Sequence, residues 1–501
     1  MSAVVTPHPV KPRRLALLWI APLQAASLFT VWAITAGGEV LRSWLLMVIV
    51  CLMTMPLLVG LEGTLLAMML FEPARGILRR AQYLIVGYSA QDPIHLLTPA
   101  VTLIAFAVLL RKERLNILWS TPMAKSVSIL ALIFFIEIFN PLQGSLFVGL
   151  TGGLFMLVPV AWFYFGQSVN ERFIRRAMLV IVVLGILGSL YGVYQLVFGY
   201  PAFEQYWIDN TDFYTSIAVG HVRRALATFS SAEEWGRYAE IGAIIAVGMA
   251  LAGQRLLKRA VWAVCAAALF GAILLSGQRT AVFGFIVGGI ALILLGARNW
   301  RGAFSRLALL LLPFVLIAVF VTPPSDDAEW SNDESQTVST ILTHTQRGTL
   351  KPAEEESLQI RFENWGYLLT SVIPFRPLGA GLGTGQLADL RQNDDSDLPP
   401  VDNFILIVAL ACGIPGALLF VWILSRATWF SVRLARGDDV DSIAPTHRIV
   451  AAIMPALILN SVFGLTFSIY SVAPIAWLFI GWISAETQRM REAPAREVIT
   501  I

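Results

Sequence analysis

The sequence predicts an all-α fold: a polytopic membrane helical bundle of about 12 to 14 membrane segments, with a long outer loop that contains an amphipathic helix. Three observations carry this. Only 14% of the 501 residues are charged, against roughly 25% in a soluble domain, and mean hydropathy is +0.70. Apolar stretches of about 20 residues, long enough to cross the hydrocarbon core, recur from end to end. Basic clusters fall at every second connection, which is how Lys and Arg mark the cytoplasmic side. In lipid the backbone must satisfy its own hydrogen bonds, so the spans are helices.

Lys11, Arg13 and Arg14 precede an apolar run over 15–36 without a small-residue cleavage site, which predicts a retained first helix that starts inside. A long apolar region, 43–71, follows. Clear spans then lie near 93–110, 126–142, 145–166, 177–200, 238–253, 260–277, 280–296, 307–323, 404–425, 449–464 and 467–484. The loops with Arg111, Lys112, Arg114 and Lys125, with Arg172, Arg175 and Arg176, with Arg255, Lys258 and Arg259, with Arg298, Arg301 and Arg306, and with Arg426, Arg433 and Arg436 fall inside, as does the tail with Arg489, Arg491 and Arg496. The segment 72–92 resists the pattern. It belongs outside, yet it holds Arg75, Arg79 and Arg80. Either 43–71 contains a broken or re-entrant helix, or 72–92 lies along the membrane surface.

This divides the chain into a transmembrane region, 1–323, with an outer loop over 201–237; a long outer loop, 324–403; and a C-terminal transmembrane region, 404–501, with a cytoplasmic tail. The long loop opens with an acidic, polar stretch (Asp326, Asp327, Glu329, Asp333, Glu334). Within it Leu358, Phe362, Trp365, Leu369 and Val372 share one helical face, so 356–373 reads as an amphipathic helix ended by Pro374 and suited to lying on a membrane. Cys51, Cys265 and Cys412 fall in apolar runs and read as small buried hydrophobes with no disulfide.

Several polar residues stand out against this background. Arg279 sits in a very short outer turn, Gly277-Gln278-Arg279-Thr280, where the positive-inside bias disfavours it. It could hold a phosphate through paired N–H donors or simply contact lipid headgroups. Arg361 lies at the edge of the amphipathic stripe beside Trp365, with the same two readings. Arg223 and Arg224 share an outer loop with Glu233, Glu234 and Arg237, where a salt-bridge network is the bland alternative. Asp402 and Asn403 precede the span near Phe404, and Asp402 reads either as a helix cap or as a general base. The run Gly379–Gly385 lacks the preceding strand and the Lys-Ser/Thr of a nucleotide loop, which leaves tight packing or an amide nest for an anion. Glu62 and Glu137 lie in apolar runs with no partner named. No Cys/His spacing suggests a metal, and His221 and His344 are isolated.

Four stretches in order resemble the O-antigen ligase and polymerase family, membrane glycosyltransferases that use polyprenyl-diphosphate-linked glycans. Arg224-Ala225-Leu226-Ala227-Thr228-Phe229 is similar to "R-x-x-G-T-F-x-x-P-N", with Ala227 at the Gly and Ala232-Glu233 at the Pro-Asn. Ser276-Gly277-Gln278-Arg279-Thr280-Ala281 is similar to "S-x-S-R-x-A". Arg361 to Trp365 with Pro377 to Gly383 is similar to "R-x-x-x-W … P-L-G-x-G-x-G". Asp402 to Leu406 with Gly413 to Gly416 is similar to "H-N-x-Y-L … G-I-P-G", with Asp402 at the His. The resemblance covers roughly 220–425.

It implies glycosyl transfer on the outer face of a bacterial inner membrane, with the site facing the periplasm. The partners it implies are a polyprenyl-diphosphate-linked glycan donor, a glycan acceptor and membrane lipid, with other polysaccharide-assembly proteins as a further class. No cofactor, metal or nucleic acid is expected. Arg279 and Arg361 take the donor phosphates and Asp402 the place of the base. Arg224, Arg223, Asn403, Trp365, Gly381 and Gly383 complete the implied binding set. Asp402 in place of His fits the polymerase side of the family, exopolysaccharide polymerases in particular. An O-antigen ligase or protein O-glycosyltransferase is the alternative, and a lipid-linked glycan flippase a more distant one. A flippase would show paired broken helices at the midplane, whereas here the unusual charges gather at one surface.

Overall fold

The structure is a computed structural model, and it describes residues 38–58, 60–86, 92–210, 218–219, 222–253, 255–296, 338, 341–342, 345, 356–385, 398–399, 401–436 and 445–497. The expected spans 15–36 and 307–323, the acidic stretch after Pro324, His221 and His344 lie outside the described residues. The rest is a bundle of α-helices. Helix α1 is Gly38–Thr54, α2 Leu61–Val86, α3 Leu97–Glu113, α4 Ala124–Glu137, α5 Leu146–Met156, α6 Ala161–Ser168, α7 Glu171–Phe198 and α8 Ala202–Asp209. A two-residue antiparallel hairpin pairs β1, Ala218–Val219, with β2, Val222–Arg223. Then come α9, Ala232–Ala252; α10, Leu256–Leu275; α11, Arg279–Gly296; α12, Glu356–Tyr367; α13, Phe404–Ala435; α14, Pro445–Val462; and α15, Ala473–Glu497.

Six described helical stretches are long and apolar enough to cross a membrane: Pro93–Leu118, Leu146–Ser168, Glu171–Phe198, Leu256–Leu275, Arg279–Gly296 and Phe404–Ala435. Outward-facing Leu132, Phe135, Leu190, Val264 and Leu418 are exposed, as lipid tails permit and water does not. The chain is therefore a multi-pass membrane protein. Polar side chains start its helices. Ser145, Asn170, Ser231 and Asn403 each accept a hydrogen bond from an amide of the first turn, satisfying donors the helix cannot. All three cysteines are free; Cys412 is buried, but Cys51 is exposed on α1 rather than buried as its apolar context suggested.

The N-terminal ambiguity has a physical resolution. The apolar region 43–71 breaks at a 3-10 turn, Met55–Leu58, so α1 and α2 are two helices and 72–86 continues α2. The three arginines of α2 are each paired with a carboxylate, two of them with acids of the 201–237 region. Arg80, with 2% of its side chain exposed, donates from Nε to Glu204 Oε1 of α8 at 2.5 Å. Its Nη1 donates to Phe229 O at 2.7 Å and its Nη2 to Ala227 O. Arg75 pairs with Glu72 at 3.2 Å and Glu234 at 3.5 Å, and Arg79 with Asp92 at 3.7 Å. A Cβ at Gly76 would collide with the Phe229 backbone, so α2 lies flush against that loop. Removing Arg80 would leave the Glu204 carboxylate buried without its cation. Arg80→Ala is therefore expected to destabilise the fold by about 3–5 kcal/mol, read as a lower melting temperature in detergent.

The glycine-rich run has a different explanation. Helix α13 breaks at Gly413, whose φ of +69° is left-handed. The segment after α12 docks on that break. Ala380 N donates to Leu410 O at 2.8 Å, Gly381 N to Ala411 O at 3.0 Å, and Ile414 N to Pro377 O at 2.9 Å. A Cβ at Gly379 would strike Ala411 O, and one at Gly413 would strike Pro377 O. The kink frees backbone groups and the docked segment satisfies them, as irregular backbone at membrane depth requires. Of the two readings open in the sequence, the contacts here are those of tight packing.

Candidate active site

Four segments meet at one end of the bundle. The first is the loop 224–231 leading into α9. Ser231 Oγ accepts from Glu234 N at 3.1 Å, and Glu234 Oε2 accepts from Ser230 N at 2.9 Å, a reciprocal cap that fixes where α9 begins. Ala227 sits at φ +52°, a left-handed conformation costing an L-residue about 1–2 kcal/mol. Its N–H donates to Gln195 Oε1 at 2.7 Å and its carbonyl accepts from Arg80. The left-handed φ explains why a glycine suits this position.

The second segment is the turn Ser276–Gln278 between α10 and α11. Ser276 Oγ accepts from Gln278 N at 3.3 Å, and Gly277 turns the chain at φ +69°. Arg279 is thereby the first residue of α11, at a helix N-terminus whose dipole favours anions. A Cβ at Gly277 would stand 3.8 Å from Arg224 Nε, so the turn and the loop are neighbours. Among the described residues, the buried Arg224 Nε has no hydrogen-bond partner.

The third is α12. The buried stripe of this segment keeps Leu358, Trp365 and Val372 of the predicted one and loses Phe362 and Leu369. Leu368 and Val372 are buried and Leu358, Arg361 and Trp365 half-buried, while Phe362 and Leu369 are exposed. A π-helical turn over Leu368–Val372 follows α12. Arg361 thus lies on the half-buried face rather than at its edge, and Trp365 packs on Phe463 at 5.5 Å between ring centroids.

The fourth is the entry to α13. Asn403, not Asp402, caps the helix: its Oδ1 accepts from Leu406 N at 3.1 Å. Asp402 is left to pair with Arg361, Oδ2 to Nη2 at 3.1 Å, with 46% and 34% of the two side chains exposed. This ion pair joins two sequence-predicted residues 41 positions apart and open to solvent.

The electrostatics link the arginines. The Arg224 guanidinium is held below the usual arginine range, first by its burial, then by the Arg279 charge, with Glu233 opposing and Arg361 adding to the shift. Three like charges therefore act on one another at this end of the bundle. Such a grouping of guanidinium groups favours an anion carrying several charges.

The remaining expected residues are placed elsewhere. Arg223 donates to Gln205 Oε1 at 2.8 Å and pairs with Asp209 at 3.9 Å, on the side of α8. Gly381 N and Gly383 N are taken by Ala411 O and Gln143 Oε1, so neither amide is offered to a ligand. Glu62 pairs with Arg176 at the opposite end, and Glu137 accepts from Asn140. Among the described residues no group of three or more His, Cys, Asp or Glu could hold a metal ion. Glu233 and Arg237, named in the sequence only as members of a salt-bridge network, do form such a pair, i,i+4 at 2.9 Å, and it reaches the other segments. The spacing on one helix face was the available signal.

The opposite end is basic. Helix α7 starts there with Arg172, Arg175 and Arg176, and Arg175 Nε donates to Thr446 at 3.3 Å. About 40 Å along its 28 residues, the chain reaches Tyr200, whose hydroxyl donates to Arg224 O.

Fold and site together define a multi-pass membrane protein that gathers cations and a carboxylate at one membrane-proximal end. Residues 263–421 match the family model described as O-antigen ligase, and over that stretch the chain is similar to the O-antigen ligase/polymerase family. The match spans Arg279, Arg361 and Asp402; Arg224 lies before it. The comparison with curated proteins gives no match.

Proposed function

We propose that this protein joins polyprenyl-diphosphate-linked oligosaccharide repeat units into an exopolysaccharide or O-antigen-type polymer. The family supports membrane glycosyl transfer with lipid-linked glycan substrates. The observation that carries the reading is the convergence of Arg224, Arg279 and Arg361 with Asp402 at one end of the bundle. In the proposed reaction, a hydroxyl oxygen of one glycan attacks the anomeric carbon of another. The bond from that carbon to the diphosphate oxygen breaks, and its electron pair leaves with polyprenyl diphosphate. Negative charge grows on the diphosphate, and fixed guanidinium groups stabilise it. Asp402 takes the proton of the attacking hydroxyl.

Arg361 has donors beyond the one facing Asp402, so one guanidinium can orient the base and meet the donor phosphate. The basic clusters at the far end support an orientation with this site outside the inner membrane. Asp402 at the position of the family's His favours polymerase over ligase. Deleting the gene and analysing surface glycan tests this. Single repeats retained on lipid are expected. Full-length polymer lacking only its final anchor would contradict polymerisation and assign the chain as a ligase.

A further inference from the structure

We infer that Arg237 is the positioning residue that sets the geometry of all four segments of the site. The inference rests on the transfer reaction proposed above. Arg237 sits in the second turn of α9 with 1% of its side chain exposed. Each nitrogen of its guanidinium meets a different part of the site. Nε donates to Glu233 Oε1 at 2.9 Å, and Glu233 is the carboxylate that opposes the charges around Arg224. Nη2 donates to Thr280 Oγ1 at 3.3 Å, one residue after Arg279 on α11. Nη2 also reaches Phe463 O at 3.5 Å, and Nη1 reaches Thr466 Oγ1 at 3.3 Å, in the connection between α14 and α15.

That connection holds the other two segments. Phe463 carries the ring on which Trp365 of α12 packs, one turn from Arg361. Gly464 O accepts from Phe404 N at 3.1 Å, two residues from Asp402. Gly464 is compelled by the same arginine: a Cβ there would collide with Arg237 Nη2 and lie 2.9 Å from Glu233 Oε1. One planar, always charged fork thus joins the elements bearing Arg224, Arg279, Arg361 and Asp402. Lys, a point charge on a flexible stem, cannot hold the same set of acceptors. A role through position predicts an effect on the chemical step, because small misplacements of reacting groups cost about 100-fold.

Purified protein in vesicles, given a polyprenyl-diphosphate-linked glycan and an acceptor, supplies the test. Arg237→Gln is expected to lower kcat about 100-fold, with Arg237→Lys restoring only part. Thr280→Val, which loses one acceptor without stranding a buried charge, is expected to lower kcat about tenfold with normal protein level and melting temperature. It decides the matter if Arg237→Gln does not fold. In an Arg279→Lys background, which keeps part of the activity, Thr280→Val should cost almost nothing further, since groups acting as a unit are not additive. Full kcat in Thr280→Val, or a loss fully additive with Arg279→Lys, would overturn the positioning role. Wild-type protein that transfers no glycan would overturn the reaction itself.

Discussion

Arg279→Ala and Arg361→Ala are each expected to abolish polymer formation while the protein remains in the membrane at its normal level. The expectation follows from where the charge of the reaction appears. The leaving diphosphate gains negative charge as its bond to the sugar breaks, and a fixed donor aimed there is worth about 100–1000-fold in rate. Neither arginine is a fold anchor of the kind Arg80 is. Arg361 is one-third exposed and Arg279 is half-buried at a helix start. Lys at either position should rescue partly, because it keeps the charge and loses the fork. In vivo, surface polymer and protein abundance measured together separate the outcomes. Near-normal polymer in either Ala variant would remove that arginine from the site.

Asp402→Asn is the second large effect expected, and the structure sharpens it. The cap of α13 is supplied by Asn403, so substituting Asp402 leaves the helix start intact. An amide cannot take the proton of the attacking hydroxyl. Asn should therefore fail about as badly as Ala, by roughly 100–10,000-fold in rate, with stability unchanged in both. The ion pair with Arg361 is exposed enough that its loss costs little in fold stability. An active Asp402→Asn protein would overturn the assignment of the base. Glu234 does not replace it, because its carboxylate is buried against Arg75 and Ser230. Glu233, beside Arg224 and Arg237, would be next.

The spans were legible because length and hydropathy alone decide whether a helix fits a bilayer. The arginines of α2 left two arrangements open, because the positive-inside rule counts charges and is blind to partners; the break at Met55–Leu58 is the broken helix that one of them required. Arg75 and Arg80 are neutralised by Glu234 and Glu204, which lie far along the chain. The approach of Arg361 to Asp402 was not derivable from periodicity. A choice between two overlapping stripes, one through Phe362 and Leu369 and one through Arg361 and Leu368, depends on what α12 packs against. The cap at α13 was ambiguous because Asp and Asn serve equally well, and two such residues stand side by side. The glycine-rich run could be taken from nucleotide binding on sequence grounds, but its real partner, the broken backbone at Gly413, is visible only in three dimensions. Arg237 was visible as a charge and not as a junction, since its acceptors come from three separate parts of the chain.

The most direct test of the arginine cluster as a diphosphate site is equilibrium binding of a polyprenyl diphosphate, without glycan, to the purified protein in detergent. Binding to the wild type should weaken at least about tenfold in Arg279→Ala and in Arg361→Ala, the loss of one charge-assisted contact. It should be unchanged in Arg176→Ala at the opposite end of the bundle. Equal affinity in all four proteins would contradict the assignment of this cluster to the donor diphosphate.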